Sequence, residues 1–314
     1  MVNHAATVES TDQSTDRWPP YDGISEREYP FEPNFVETDG GHRMHYVDEG
    51  EGHPVVMVHG NPTWSFYYRN LIRRISTSHR AVAPDHIGCG LSDKPTDQDY
   101  DFTLAQRVDD LDVFLAVVVP DGKLTLVMHD WGGMIGMRWA TEHPERIEKL
   151  VLMNTAAFPL PDSKRLPFSL WLVRNTRLGG FLVDRFNAFS RGAARFCVTD
   201  AMSDEVAAGY TAPYQRREDR IATLRFVEDI PLQPGDPGYD LVAETEQKLS
   251  LFEDHPILIG WGLKDFVFDV HFLNRWKEIY PDADYAEFRD AGHYVLEDRA
   301  EELGRKIADF VGSQ

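Results

Sequence analysis

Short runs of Val, Ile, Leu and Met alternate along this chain with longer stretches whose apolar residues repeat at helical spacing, and nothing else in the sequence restricts the fold as much. A short apolar run without polar alternation is a strand buried on both faces. Strands of that kind separated by helices form a mostly parallel sheet with helices on both sides, an α/β architecture. The pattern predicts an opening pair of strands near Phe35 and over 44–47, then strands over 55–58, 81–83, 124–128, 150–153, 257–261 and 285–288. Helices are expected over 104–118, 133–142 and 272–279, with a closing helix over 299–310.

The alternation stops between 156 and 246. That stretch carries helical but no clear strand patterning, and Phe158, Phe168, Leu170, Trp171, Phe181, Phe186, Phe189 and Phe196 give it more apolar bulk than surface helices need. It reads as an inserted helical cap, either a lid over an apolar pocket or a subdomain with its own core. Segments 26–155 and 247–314 then make up the α/β core. Residues 1–25 form a polar arm with neither the basic start nor the apolar run of a signal peptide, expected to be loosely attached or disordered.

Charge narrows the partners. A net charge of -20, from 52 acidic against 32 basic residues, repels phosphate backbones and anionic headgroups, so nucleic acid and membrane surfaces are poor candidates. No apolar run reaches the roughly 18 residues of a spanning helix, so no membrane insertion is expected. The two cysteines, Cys89 and Cys197, lie far apart and suggest neither a disulfide framework nor a thiolate metal site, and a cytoplasmic location follows as the expectation.

Four motifs sit just past predicted strand ends. After 124–128 comes His129-Asp130-Trp131-Gly132-Gly133, a strand, a sharp turn and a helix, with Asp130 where a nucleophile elbow carries its reactive side chain. Taken alone, Asp130 could equally cap the helix. After 55–58 comes His59-Gly60-Asn61-Pro62-Thr63-Trp64, a turn whose Asn61 N–H could join that of Trp131 in an oxyanion hole. Gly262-Leu263-Lys264-Asp265 and Asp290-Ala291-Gly292-His293 follow the last two strands. Each of these is separately an ordinary turn. Together they place a nucleophile, an acid and a base in the chain order of an α/β-hydrolase triad: Asp130, Asp265 and His293. Asn154, at the end of 150–153, cannot be the carboxylate partner of the histidine, which favours Asp265. His59, His129 and Asp85 read as loop-stabilising groups.

The His59-to-Trp64 and His129-to-Gly133 motifs resemble those of the haloalkane dehalogenases, and the resemblance covers nearly the whole chain after residue 30. It implies an α/β-hydrolase fold and displacement of halide by Asp130. The Asn61 amide and the Trp131 indole would hold the departing halide ion, and water activated by His293 would hydrolyse the alkyl ester left on Asp130. No metal or organic cofactor is implied. The substrate would be a small apolar molecule, and a homo-oligomer is compatible with the reading. Asp265 combined with Asn61 is most similar to the third branch of that family.

Halide displacement is the first expectation, with two rivals on the same triad. Sequences of the third branch are also similar to β-lactone decarboxylases of olefin biosynthesis, in which Asp130 would act on a lactone ring with loss of carbon dioxide. Epoxide hydrolases need acidic phenols, for which the insertion offers Tyr210 and Tyr214. A pure ligand-binding role is disfavoured because all three triad positions are filled.

Overall fold

The structure, a computed structural model, describes residue 21 and residues 24–313. The chain opens with β1 (Asn34–Glu37), β2 (Arg43–Glu49) and β3 (Pro54–Val58), then α1 (Arg69–Ile75), β4 (Arg80–Pro84) and α2 (Leu104–Val118). β5 (Leu124–Asp130) leads directly into α3 (Trp131–Glu142), followed by β6 (Ile147–Thr155). Six α-helices and no strand then intervene: α4 (Phe168–Asn175), α5 (Arg177–Phe186), α6 (Ala188–Phe196), α7 (Asp204–Thr211), α8 (Ile221–Glu228) and α9 (Tyr239–Gln247). β7 (Ile257–Gly262), α10 (Val270–Ile279), β8 (Asp284–Phe288), α11 (Val295–Asp298) and α12 (Ala300–Gly312) complete the chain.

The eight strands form one sheet in the order β1-β2-β4-β3-β5-β6-β7-β8. β1 and β2 run antiparallel to their neighbours, and every pairing from β4 to β8 is parallel. Alternate residues of the central strands feed two separate cores. Val56, Val58, Leu126 and Met128 face α2, α3 and α10, whereas Val55, Met57 and Val127 face α1 and α12. Every residue of β5 is buried, as expected of a strand covered on both faces. Strand order reverses between β3 and β5, and such a reversal opens a crevice at the carboxyl ends of the strands. The two turns singled out in the sequence meet there.

The expected strands are all present, with shifted ends. β5 continues to Asp130 and α3 begins at Trp131, because Asp130 makes the reversal within one residue at φ 53° and ψ -127°. α1 was not anticipated from its short, Arg-rich sequence. In the expected arm, Tyr21 donates to the Gly90 carbonyl (2.9 Å) and Ile24 is buried, while residues 1–20, 22 and 23 lie outside the described residues. No helix among the described residues is long and apolar enough to cross a membrane.

Candidate active site

The elbow holds Asp130 in a left-handed conformation that non-glycine residues rarely adopt, and the neighbouring chain must come close to accommodate it. A Cβ at Gly60 would lie 2.1 Å from Asp130 Oδ1, and one at Gly132 would lie 2.0 Å from the Val58 carbonyl. Both positions therefore exclude a side chain. The Thr155 hydroxyl donates to the Asp130 carbonyl and pins the turn to β6.

Asp130, His293 and Asp265 come together from three strand ends. Asp130 Oδ1 accepts the Asn61 backbone N–H (2.7 Å), and its Oδ2 lies 3.3 Å from His293 Nε2. The other ring nitrogen of His293 donates to Asp265 Oδ2 at 2.7 Å. Asp265 Oδ1 accepts the Val267 N–H, and its Oδ2 also accepts the side-chain N–H of Asn154 (2.9 Å). Asn154 further exchanges hydrogen bonds with both backbone groups of Gly262, binding β6 to β7 beneath the acid. Asn154, which cannot itself be the carboxylate, positions it instead, a role signalled in the sequence only by an Asn at a strand end.

Electrostatics follow from burial. Burial works against a charged imidazole, but Asp265 and Asp130 overcome it and hold the His293 pKa up at about 10. Burial likewise opposes the Asp130 carboxylate, yet His293, His129 and the Asn61 N–H hold it below the usual carboxylate range. The raised pKa favours the charged form of the His293 ring beside Asp130. His129 is pushed down to about 3 by burial and by His293, so it is neutral, and it donates to the His293 carbonyl (2.9 Å). His59 donates to the Gly60 carbonyl and accepts the His86 N–H, and Asp85 accepts the backbone N–H groups of Ser65 and Leu91. All three are tied into loop backbone.

A cavity of about 300 Å³ stands over these groups, with Asn61, Asp130, Trp131 and His293 in its wall. Its remaining lining is almost wholly apolar, contributed by core residues such as Phe268 and Phe272 and by inserted residues such as Phe158, Leu170, Leu182, Val183, Phe189 and Val227. The Trp131 ring packs edge-on against Phe226, and its indole N–H donates to no group among the described residues. Asn61 is more engaged than expected. Its side-chain nitrogen donates to the Thr223 carbonyl of α8 (3.0 Å), leaving one N–H for a ligand. Neither expected phenol reaches the cavity: Tyr210 is buried and donates to Glu297, and Tyr214 is buried elsewhere. Among the described residues no group of three or more His, Cys, Asp or Glu is placed to hold a metal ion.

The sequence matches the family described as alpha/beta hydrolase fold over residues 53–300, and the chain belongs to that family. Within it, the chain is 52% identical over 283 residues to a cis-3-alkyl-4-alkyloxetan-2-one decarboxylase of Shewanella oneidensis, covering 90% of this chain and 89% of the relative. It is 32% identical to a haloalkane dehalogenase of Mycolicibacterium paratuberculosis, covering 90% and 93% of the two chains. The crystal structure of the haloalkane dehalogenase DatA from Agrobacterium tumefaciens C58 superposes with a TM-score of 0.79 at 25% identity, covering 89% of this chain and 96% of that one.

Proposed function

We propose that this chain decarboxylates cis-3,4-dialkyl β-lactones to alkenes, with the helical segment 156–246 as the lid over the apolar chains. The observation that carries the reading is the order of similarity: 52% identity to an oxetan-2-one decarboxylase against 32% to a dehalogenase. The family resemblance implies both reactions, with halide displacement first, and the order of similarity favours the reverse. Epoxide opening loses its support because no tyrosine lines the cavity.

In the proposed route the Asp130 carboxylate attacks the alkyl-substituted sp3 ring carbon that is bonded to the ring oxygen, not the carbonyl carbon. That carbon–oxygen bond breaks, leaving an ester on Asp130 and a free carboxylate on the substrate. In this reading the Trp131 indole N–H and the remaining Asn61 N–H hold this anion. The bond to the carboxylate carbon then breaks to release carbon dioxide. Its electrons form the alkene, and the ester oxygen departs as the restored Asp130 carboxylate. An apolar cavity favours this step because a poorly hydrated carboxylate loses carbon dioxide more readily than a hydrated one. No water is consumed and no proton moves. A His293 held as imidazolium suits that role, a fixed counter-charge oriented by Asp265.

Halide displacement is the second reading, supported by the 32% identity to a haloalkane dehalogenase and compatible with the uncommitted Trp131 indole N–H at the cavity wall. There the ester on Asp130 would be hydrolysed. Esterification removes the Asp130 charge that helps hold the His293 pKa up, which would bring the ring toward the range of a general base. The deciding experiment offers a cis-3,4-dialkyl β-lactone and a 1-bromoalkane in parallel and follows alkene and bromide. Alkene from the lactone at a far higher kcat/KM supports decarboxylation. Bromide release with no alkene would reverse it.

A further inference from the structure

Exposed arginines gather on the inserted helices α5 and α6 and just before α4. From 162 to 200 the sequence holds seven Lys and Arg against three acids, Asp162, Asp184 and Asp200. Asp184 is paired with Arg217, while Lys164 and Arg174 are paired with Asp269 and Asp236. Arg165, Arg177, Arg185, Arg191 and Arg195 are exposed, and among the described residues none of them forms an ion pair.

The same helices expose rings that a solvated surface rarely leaves out. On α4, Phe168 is 74% exposed and stacks on the exposed Trp171. On α5, Phe181 and Phe186 are both more than half exposed and pack edge-on to each other. Arg185 and Arg195 lie over the rings of Phe186 and Phe196. Exposed positions recur at helical spacing, 168, 171 and 175 on α4 and 178, 181 and 185 on α5, so each helix turns one stripe outward. Their opposite sides contribute Leu170, Leu182 and Val183 to the cavity. Ser169 and Phe196 are both exposed and part of the cavity wall.

We infer that the outer face of α4, α5 and α6 seats this protein on an anionic lipid surface. Arginines pair with lipid phosphate, and aromatic rings settle at the headgroup boundary. An acidic protein surface would answer the charges but not the rings, and a neutral apolar surface would answer the rings but not the charges. The whole-chain charge, read above as hostile to membranes, averages over this segregation. Beyond a Debye length of about 10 Å at 0.1 M salt, the distant carboxylates are screened and the local charges dominate. Seated this way, the cavity lies about one helix diameter, roughly 10 Å, from the bilayer, and an apolar ligand could pass between them without crossing bulk water.

Flotation with vesicles tests the inference on the full chain without any substrate, so its outcome is independent of the reaction assigned. Vesicles of phosphatidylcholine alone are compared with vesicles containing phosphatidylglycerol. The expected result is binding to the anionic vesicles only, weakened more than about tenfold by Arg177→Glu with Arg185→Glu, and similarly by Phe168→Ser with Phe181→Ser. Circular dichroism and turnover of a short-chain soluble substrate should be unchanged in both variants. Absence of binding to anionic vesicles at low salt would overturn the inference. So would binding indifferent to the Phe substitutions, which would point to an acidic protein partner, or a self-association in solution that those substitutions abolish.

Discussion

Asp130 Oδ2 and His293 Nε2 lie 3.3 Å apart, in a buried line that continues to Asp265 at 2.7 Å from the opposite side of the ring. A His293 ring whose charged form is favoured by its neighbours suits a counter-charge, and neutralising Asp130 would bring it toward the behaviour of a base. This relationship makes the two candidate reactions distinguishable by where water enters.

Oxygen-18 water should separate them. Decarboxylation restores Asp130 by breaking its bond to the alkyl carbon, so repeated turnover of a β-lactone leaves the Asp130 peptide unlabelled. Ester hydrolysis after halide displacement places solvent oxygen in that carboxylate. Mass spectrometry of the peptide containing Asp130 reads the difference, and label acquired during lactone turnover would contradict the water-free route.

The raised His293 pKa predicts a particular loss of stability with alkali. The folded value of about 10 stands above the ordinary 6.5. The stabilisation is therefore fully present below pH 6.5 and disappears as pH rises through about 10. At about 1.4 kcal/mol per pKa unit the span is on the order of a few kcal/mol. Urea unfolding of the protein and of His293→Gln should show a stability difference that shrinks across this window. A difference independent of pH there would remove the ion-paired ring from the account.

Asn154→Ala should strip Asp265 of a donor and loosen the join between β6 and β7. We expect a stability loss of about 1–3 kcal/mol from the unpaired buried groups. Turnover should fall roughly tenfold with KM little changed, and the alkaline limb of the kcat profile should move, which a merely structural role would not produce. An unshifted profile would make Asn154 a strand clamp alone.

Trp131→Phe keeps an aromatic ring against Phe226 while removing the indole N–H together with part of the ring system. If that donor holds the anion released on ring opening, kcat should fall on the order of a hundredfold while the fold and KM hold. Unchanged kcat would leave Asn61 to hold the anion alone.

Much of this was legible in the sequence because parallel strands buried on both sides announce themselves as unbroken apolar runs. The residues just past such runs sit at one edge of the sheet, which is why Asp130, Asp265 and His293 could be named before their contacts were seen. The inserted helices were harder. Their apolar pattern runs on through Thr176 and Asn187, single residues that divide α4 from α5 and α5 from α6, the latter by a left-handed turn at φ 53°. Asn154 acts through three hydrogen bonds across two strands, and a linear pattern carries no trace of such contacts. The choice between lactone and halide was not legible either, since both need the same nucleophile, counter-charge and donors.

The most direct measurement is the mass of the peptide bearing Asp130 after rapid quenching of the protein with excess substrate. A covalent adduct equal to the whole lactone is predicted on that peptide, absent from Asp130→Asn. A bromoalkane should leave its alkyl group there in His293→Gln. Turnover with no adduct at Asp130 under any of these conditions would contradict nucleophilic attack by this carboxylate.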